Sequence, residues 1–285
     1  MAVGESGTEF GLDQAAVDRL TDQLAGLDRL GVAFSGGVDS STLLALAVRA
    51  LGPAQVLAVI GVSPSLASDE RAAAHDVARF VGASVIEVVT HEAERSAYRA
   101  NGPDRCYHCK DELFTRIGDE VCTEHRLDAV AYGENSDDVV RPDRPGARAA
   151  TEHRVLRPLA DAGLDKAAVR RIARVLKLPC ADKPAAPCLA SRIPHHEPVT
   201  AEKLAQIENA EQSLRRLGFG DCRVRHHGEI ARVELPLADL ARAAGELRSQ
   251  VHGAVISAGF RFATVDLAGI QSGAFTLPLV AVHRA

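Results

Sequence analysis

Apolar residues fall into short blocks separated by turns rich in glycine, proline and acids. Leu30 to Phe34 and Val56 to Val62 are apolar runs that read as buried strands, and Ser84 to Val89 and Leu127 to Tyr132 read as a third and a fourth strand. Between them the spacing turns helical: Leu12 to Leu27 with Asp13 near its start, then Leu43, Leu44, Leu46, Ala47 and Leu51, then Ser68 to Phe80, closed by Gly82. Strands alternating with helices predict a parallel sheet covered on both faces. Ligands of such sheets sit at the carboxyl ends of the strands. That rule groups the residues after Phe34, Val62-Ser63 and Gly133-Glu134-Asn135 around one site.

Beyond Pro194 the pattern changes. Thr200 to Leu217 reads as an amphipathic helix with Thr200 as its N-cap. Cys222 to His226 and Ile230 to Leu235 alternate as a hairpin, Ala238 to Val251 reads as a helix, and Gly259 to Asp266 as a strand. The expected architecture is α/β: a parallel-sheet domain over residues 1–194 and a second, smaller α+β domain over 195–285.

Composition narrows the function classes. A chain of 285 residues has a two-domain prior. A formal net charge of −5 offers no electrostatic footprint for nucleic acid, and tryptophan is absent. No apolar run is long enough to span a membrane. Met1 to Glu9 carries acids and no apolar signal region, so a cytoplasmic protein is expected. Six cysteines in that setting point to metal or catalysis and not to a disulfide framework.

The densest chemistry follows the first strand: Ser35-Gly36-Gly37-Val38-Asp39-Ser40-Ser41. Strand, glycine turn, helix is the geometry that aims backbone N–H groups at an anion. The glycines let the backbone approach phosphates closely. The serines add hydroxyl donors, and Asp39 can hold a Mg²⁺ ion. No lysine follows the glycines, so this is not the GxxxxGK[ST] loop.

Three further stretches carry candidate groups. Cys106-Tyr107-His108-Cys109-Lys110, at a helix start, reads as a redox dithiol, half a zinc site or two iron–sulfur ligands; Lys110 can reach a phosphate. The acids of Gly133 to Asp138 can order a loop or hold a cation, and Arg144 or Arg148 can bind anions. Asp182 to Pro194 is irregular because its prolines forbid a helix, and it brings Cys188, Ser191 and Arg192 together. In the small domain Arg223 and Arg225 lie two apart in a strand, on one face suited to a substrate phosphate or to solvent. Glu211 and Glu234 are candidates for metal or substrate there.

SGGVDSS resembles the PP-loop of ATP pyrophosphatases, which release pyrophosphate and leave AMP on a substrate. With RCYHCK, GENSDD, RPLADAGLDK and DKPAAPCLASRIP in this order, the chain resembles LarE-type sulfur transferases from about Leu30 to His226. The resemblance implies an adenine nucleotide alpha hydrolase-like fold and a homo-oligomer. It implies ATP-dependent adenylation of pyridinium-3,5-biscarboxylic acid mononucleotide, then sulfur insertion, on the way to the nickel-pincer nucleotide of lactate racemase. ATP would lie on Ser35 to Ser41, Ser63, Gly133 and Lys110, with Mg²⁺ on Asp39; the nicotinate-derived substrate would lie on Ser191, Arg192, Glu211, Arg223 and Arg225. One branch of that family sacrifices the sulfur of the cysteine matching Cys188. Another holds a [4Fe-4S] cluster on three cysteines, and Cys106 and Cys109 with Cys188 favour that branch. Cys122, Cys180 and Cys222 read as structural. A tRNA thiolase or amidotransferase, and an iron–sulfur carrier with a dead PP-loop, are the alternatives.

Overall fold

The computed structural model describes residues 9–140 and 145–271. Arg144, and residues 1–8 that entered the compartment expectation, lie outside them. The chain divides into two compact units. The first comprises residues 1–62, 68–90 and 106–186; the second comprises 63–67, 91–105 and 187–285.

The first unit is built on a four-stranded, wholly parallel sheet: β1 (Leu30–Ala33), β2 (Val56–Val62), β3 (Ser84–Val89) and β4 (Ala129–Tyr132), in the order β3-β2-β1-β4. Leu30 pairs with both Val56 and Ala129, so β2, β1 and β4 start level. Around the sheet lie α1 (Gln14–Leu24), α2 (Val38–Leu51), α3 (Ser68–Val81), α4 (Arg105–Arg116, in this unit from Cys106) and α5 (Lys166–Val175). Both α1 and α5 pack on α2, which explains why α2 is buried from Ser40 to Ala47 with no polar stripe. On the other side Leu57, Val59, Val88, Phe114, Ile117, Val121 and Tyr132 form a core with Ala149 and Ala150. Among the described residues no helix is long and apolar enough to cross a membrane.

Two helical stretches of the first unit differ from a simple helical reading. The first helix is shorter than Leu12 to Leu27: a 3₁₀ turn, Gly11–Asp13, precedes it. Asp13 does not cap it; its carboxylate accepts from Arg171 Nε at 2.9 Å and Nη2 at 2.8 Å, so a tertiary partner wins over the local one. After α4 the backbone widens into a π-helical turn, Ile117–Cys122, a departure no side-chain period encodes.

The second unit carries β5 (Arg223–His227), β6 (Ile230–Glu234) and β7 (Phe262–Val265), in that order, β5–β6 antiparallel and β6–β7 parallel. Gly228 turns the hairpin at φ +63°. The unit's first helix, α6 (Ala201–Arg216), packs on β5, and Thr200 caps it as expected, accepting from the Lys203 N–H at 3.3 Å. The single helix expected over 238–251 is two, α7 (Leu237–Ala244) and α8 (Arg248–Ser257). The break is at Gly245, where a Cβ would lie 2.9 Å from the Ala241 carbonyl oxygen.

Candidate functional site

In the first unit the site forms where β1 and β4 end side by side. Gly36 sits at φ +70°, and a Cβ there would lie 2.8 Å from the Ala74 Cα, so only glycine lets the loop turn against α3. The serines lock the loop onto itself. Ser40 Oγ accepts from the Ser35 N–H at 3.3 Å and donates to the Gly37 carbonyl at 3.2 Å; Ser35 and Ser40 hydroxyls lie 3.2 Å apart. Gly37 caps α2 without a side chain, and the first amides of a helix have no carbonyl of their own helix to bond. They supply donors and positive potential for an anion. Ser41 is fully buried inside α2, its hydroxyl without a hydrogen-bond partner.

From β4, Gly133 presses on the start of α2: a Cβ would be 2.5 Å from the Ser40 nitrogen. Asn135 follows. Its Nδ2 donates to Asp39 Oδ1 at 3.1 Å and to Asp138 Oδ2 at 3.0 Å. Its Oδ1 caps the next short helix by accepting from the Asp138 N–H. Lys166, first residue of α5, places Nζ 2.5 Å from Asp39 Oδ2. An ammonium on this carboxylate shows that the Asp39 position attracts a cation. Sequence reasoning missed Lys166. The signal was the DK pair after GL, in which Asp165 caps α5.

Lys110 lies with Nζ 4.2 Å from the centre of the Tyr132 ring, a cation–π contact. Burial, with the Glu134 carboxylate beside it, holds the Tyr132 hydroxyl well above its ordinary pKa. Arg148 stacks on Tyr107, 3.7 Å from the ring centre. A cavity of about 270 Å³ lies at the amino end of β4, lined by Phe114, Cys122, Asp128 and His153, away from the glycine loop.

In the second unit Cys188 is exposed on a loop with a rigid frame. The Leu189 N–H donates to the Ser65 carbonyl at 2.9 Å. The guanidinium of Arg192, 3% exposed, reaches the Pro187 and Cys188 carbonyls at 2.5 and 3.2 Å and the Ser191 hydroxyl at 3.0 Å. Its other nitrogens pair with Glu211 at 2.9 and 3.2 Å. Glu211 also accepts from Arg215 at 3.0 Å and from the Val224 N–H at 3.0 Å. Arg225 donates to the Ser191 carbonyl at 3.0 Å and to Glu234 at 2.8 Å; Arg223 pairs with Asp221. The face of β5 that carries both arginines is therefore not a solvent face: both are buried. Ser63 accepts from the Ser65 N–H at 3.2 Å.

None of the six cysteines is in a disulfide; Cys106 and Cys188 are exposed, Cys109 and Cys122 half-buried, Cys180 and Cys222 buried. Among the described residues no three His, Cys, Asp or Glu side chains are gathered as a metal site. Burial, with Glu211 nearby, pushes the Cys222 thiol up to about 12, and burial also raises Cys122. The thiolate is the reactive form. Iodoacetamide on the native protein at mildly alkaline pH is thus expected to label Cys106 and Cys188 first and Cys222 last; peptide mapping by mass spectrometry checks the order.

A parallel sheet with this loop at the end of its first strand defines a PP-loop nucleotide-binding domain. Consistently, the model of the asparagine synthase family matches residues 11–118. An uncharacterised protein of Synechocystis sp. is 38% identical over 265 residues, 91% of this chain and 96% of that protein. A Methanocaldococcus jannaschii protein, also uncharacterised, is 34% identical over 135 residues, 47% of this chain and 52% of its own. The pyridinium-3,5-bisthiocarboxylic acid mononucleotide synthase of Lactiplantibacillus plantarum is 34% identical over 257 residues, 89% of this chain and 91% of the synthase. The chain belongs to the family of that synthase.

Proposed function

We propose that the chain is an ATP-dependent sulfur transferase that converts carboxylates of pyridinium-3,5-biscarboxylic acid mononucleotide to thiocarboxylates, in the making of the nickel-pincer cofactor of lactate racemase. The observation that carries this reading is the relation to the Lactiplantibacillus plantarum synthase over nearly the whole chain. The glycine loop and Asp39 support it from the first unit, and the accessible Cys188 on its braced loop supports it from the second.

A carboxylate is a poor electrophile. Its oxygen attacks the α-phosphorus of ATP, pyrophosphate leaves, and the carboxylate becomes an acyl-adenylate. Sulfur then attacks the carbonyl carbon, and AMP leaves with the oxygen that attacked phosphorus. The first step needs positioning and charge neutralisation. The Gly37–Ser40 amides would hold the phosphates, and Asp39 would hold Mg²⁺, which lowers the charge on them. Ser191, Arg223 and Arg225, with Glu211 and Arg192, would frame the substrate end.

Sulfur would reach the adenylate through Cys188. Cys106 and Cys109, one helical turn apart, would share with Cys188 the ligation of a [4Fe-4S] cluster. Such a cluster would supply an exchangeable sulfide. The exposure of Cys188 by itself also suits the route in which its own sulfur is given up and dehydroalanine remains.

Pyrophosphate release from ATP is the test. It is expected to require the dicarboxylate mononucleotide and to vanish in Asp39→Ala; release indifferent to the mononucleotide contradicts the assigned substrate.

A further inference from the structure

Asp39 has no idle oxygen. Oδ1 accepts from Asn135 Nδ2 at 3.1 Å, and Oδ2 lies 2.5 Å from Lys166 Nζ. The lysine is anchored for this contact. Its backbone N–H donates to Asp137 Oδ2 at 3.0 Å, and Asp165, the preceding residue, caps α5. Asn135 donates to both Asp138 and Asp39 and so ties the two together. The ammonium therefore stands where a metal ion on Asp39 would stand. Both side chains of the pair keep access to solvent, at 22% and 39% exposure, so the contact can be exchanged without unfolding. An ammonium and a divalent cation cannot share one lone pair, and the two repel at contact distance.

We propose that Lys166 is a positioning residue that acts as a tethered counter-ion. It closes the cation position on Asp39 while no nucleotide is bound, and yields it to a metal ion arriving on a triphosphate. A triphosphate gives the displaced ammonium a new anionic partner, which a bare ion does not. The proposal rests on the reading of this loop as an ATP site. It makes the metal enter with the nucleotide, because Lys166 holds the Asp39 carboxylate until a triphosphate arrives.

The test uses bare Mn²⁺ and the nucleotide-free full chain, with free Mn²⁺ followed by electron paramagnetic resonance. Lys166→Met is expected to bind Mn²⁺ roughly tenfold or more tightly than wild type, the scale of one charged contact. Lys166→Arg, which keeps the cation, should match wild type. Adding Asp39→Asn to Lys166→Met should cancel the gain and so locate the ion. Lys166→Gln serves if the methionine variant fails to fold, with circular dichroism as the check. Unchanged or weaker Mn²⁺ binding by the uncharged variants, or a gain that survives Asp39→Asn, overturns the proposal. Titration with a fluorescent ATP analogue in excess Mg²⁺ tests the underlying reading separately. Failure of wild type to bind it removes the ATP site, whereas the lysine's role is decided by Mn²⁺ alone.

Discussion

Cys188→Ser is expected to abolish thiocarboxylate formation while pyrophosphate release continues. The substitution keeps shape and changes one atom. The loop does not need that atom, because its brace runs through the Pro187 and Cys188 carbonyls to Arg192 and through Leu189 to Ser65. In the proposed reaction adenylation would draw on Asp39 and the glycine loop, which belong to the first unit. The loss thus falls on the second chemical step alone. The two donor routes then separate. With a cluster, the anaerobically reconstituted protein is brown and carries about four irons per chain. Serine at 106, 109 or 188 then removes both the iron and the transfer, and serine at 122, 180 or 222 removes neither. With a sacrificed sulfur, the protein is colourless, tolerates Cys106→Ser, and shows dehydroalanine at position 188 after one turnover. Wild-type thiocarboxylate yield from Cys188→Ser contradicts both.

Glu211→Ala is expected to be the most destabilising single change in the second unit. Glu211 is fully buried and serves Arg192, Arg215 and the Val224 N–H at once. Its removal strands the buried guanidinium of Arg192. Breaking a buried pair from one side costs about 3–5 kcal/mol, a large share of the roughly 5–15 kcal/mol that folds a domain. Calorimetry should show the unit that contains the Cys188 loop melting many degrees lower, with Glu211→Gln intermediate because it keeps hydrogen bonds and loses charge. An unaltered melting temperature with weakened substrate binding would make Glu211 a ligand contact and not a structural hub.

Much of the first unit is legible in the chain because its signals are local. Apolar runs bounded by glycines mark β1 to β4, and the glycine loop announces its own turn through Gly36 and its anion preference through the start of α2. Lys166 was not legible as a site residue. A lysine at the first position of a helix reads as solvated, and only the packing of α5 on α2 brings it to Asp39. The arginines of β5 show the opposite limit. Strand alternation puts Arg223 and Arg225 on one face, but the period says nothing of whether carboxylates wait there. In the structure Glu234 and Asp221 do. The units are also interleaved in sequence: Asn101, in the 91–105 segment, donates to the Pro194 and Glu197 carbonyls at 2.7 and 3.0 Å. Such long-range hydrogen bonds leave no periodic trace.

The most direct test of the central claim is the mass of the product. The protein, prepared anaerobically with ATP, Mg²⁺ and pyridinium-3,5-biscarboxylic acid mononucleotide, should convert the substrate to a species in which sulfur replaces one carboxylate oxygen, with one AMP and one pyrophosphate formed for each replacement. Release of AMP and pyrophosphate with the mononucleotide recovered unchanged, or as an amide, would contradict it.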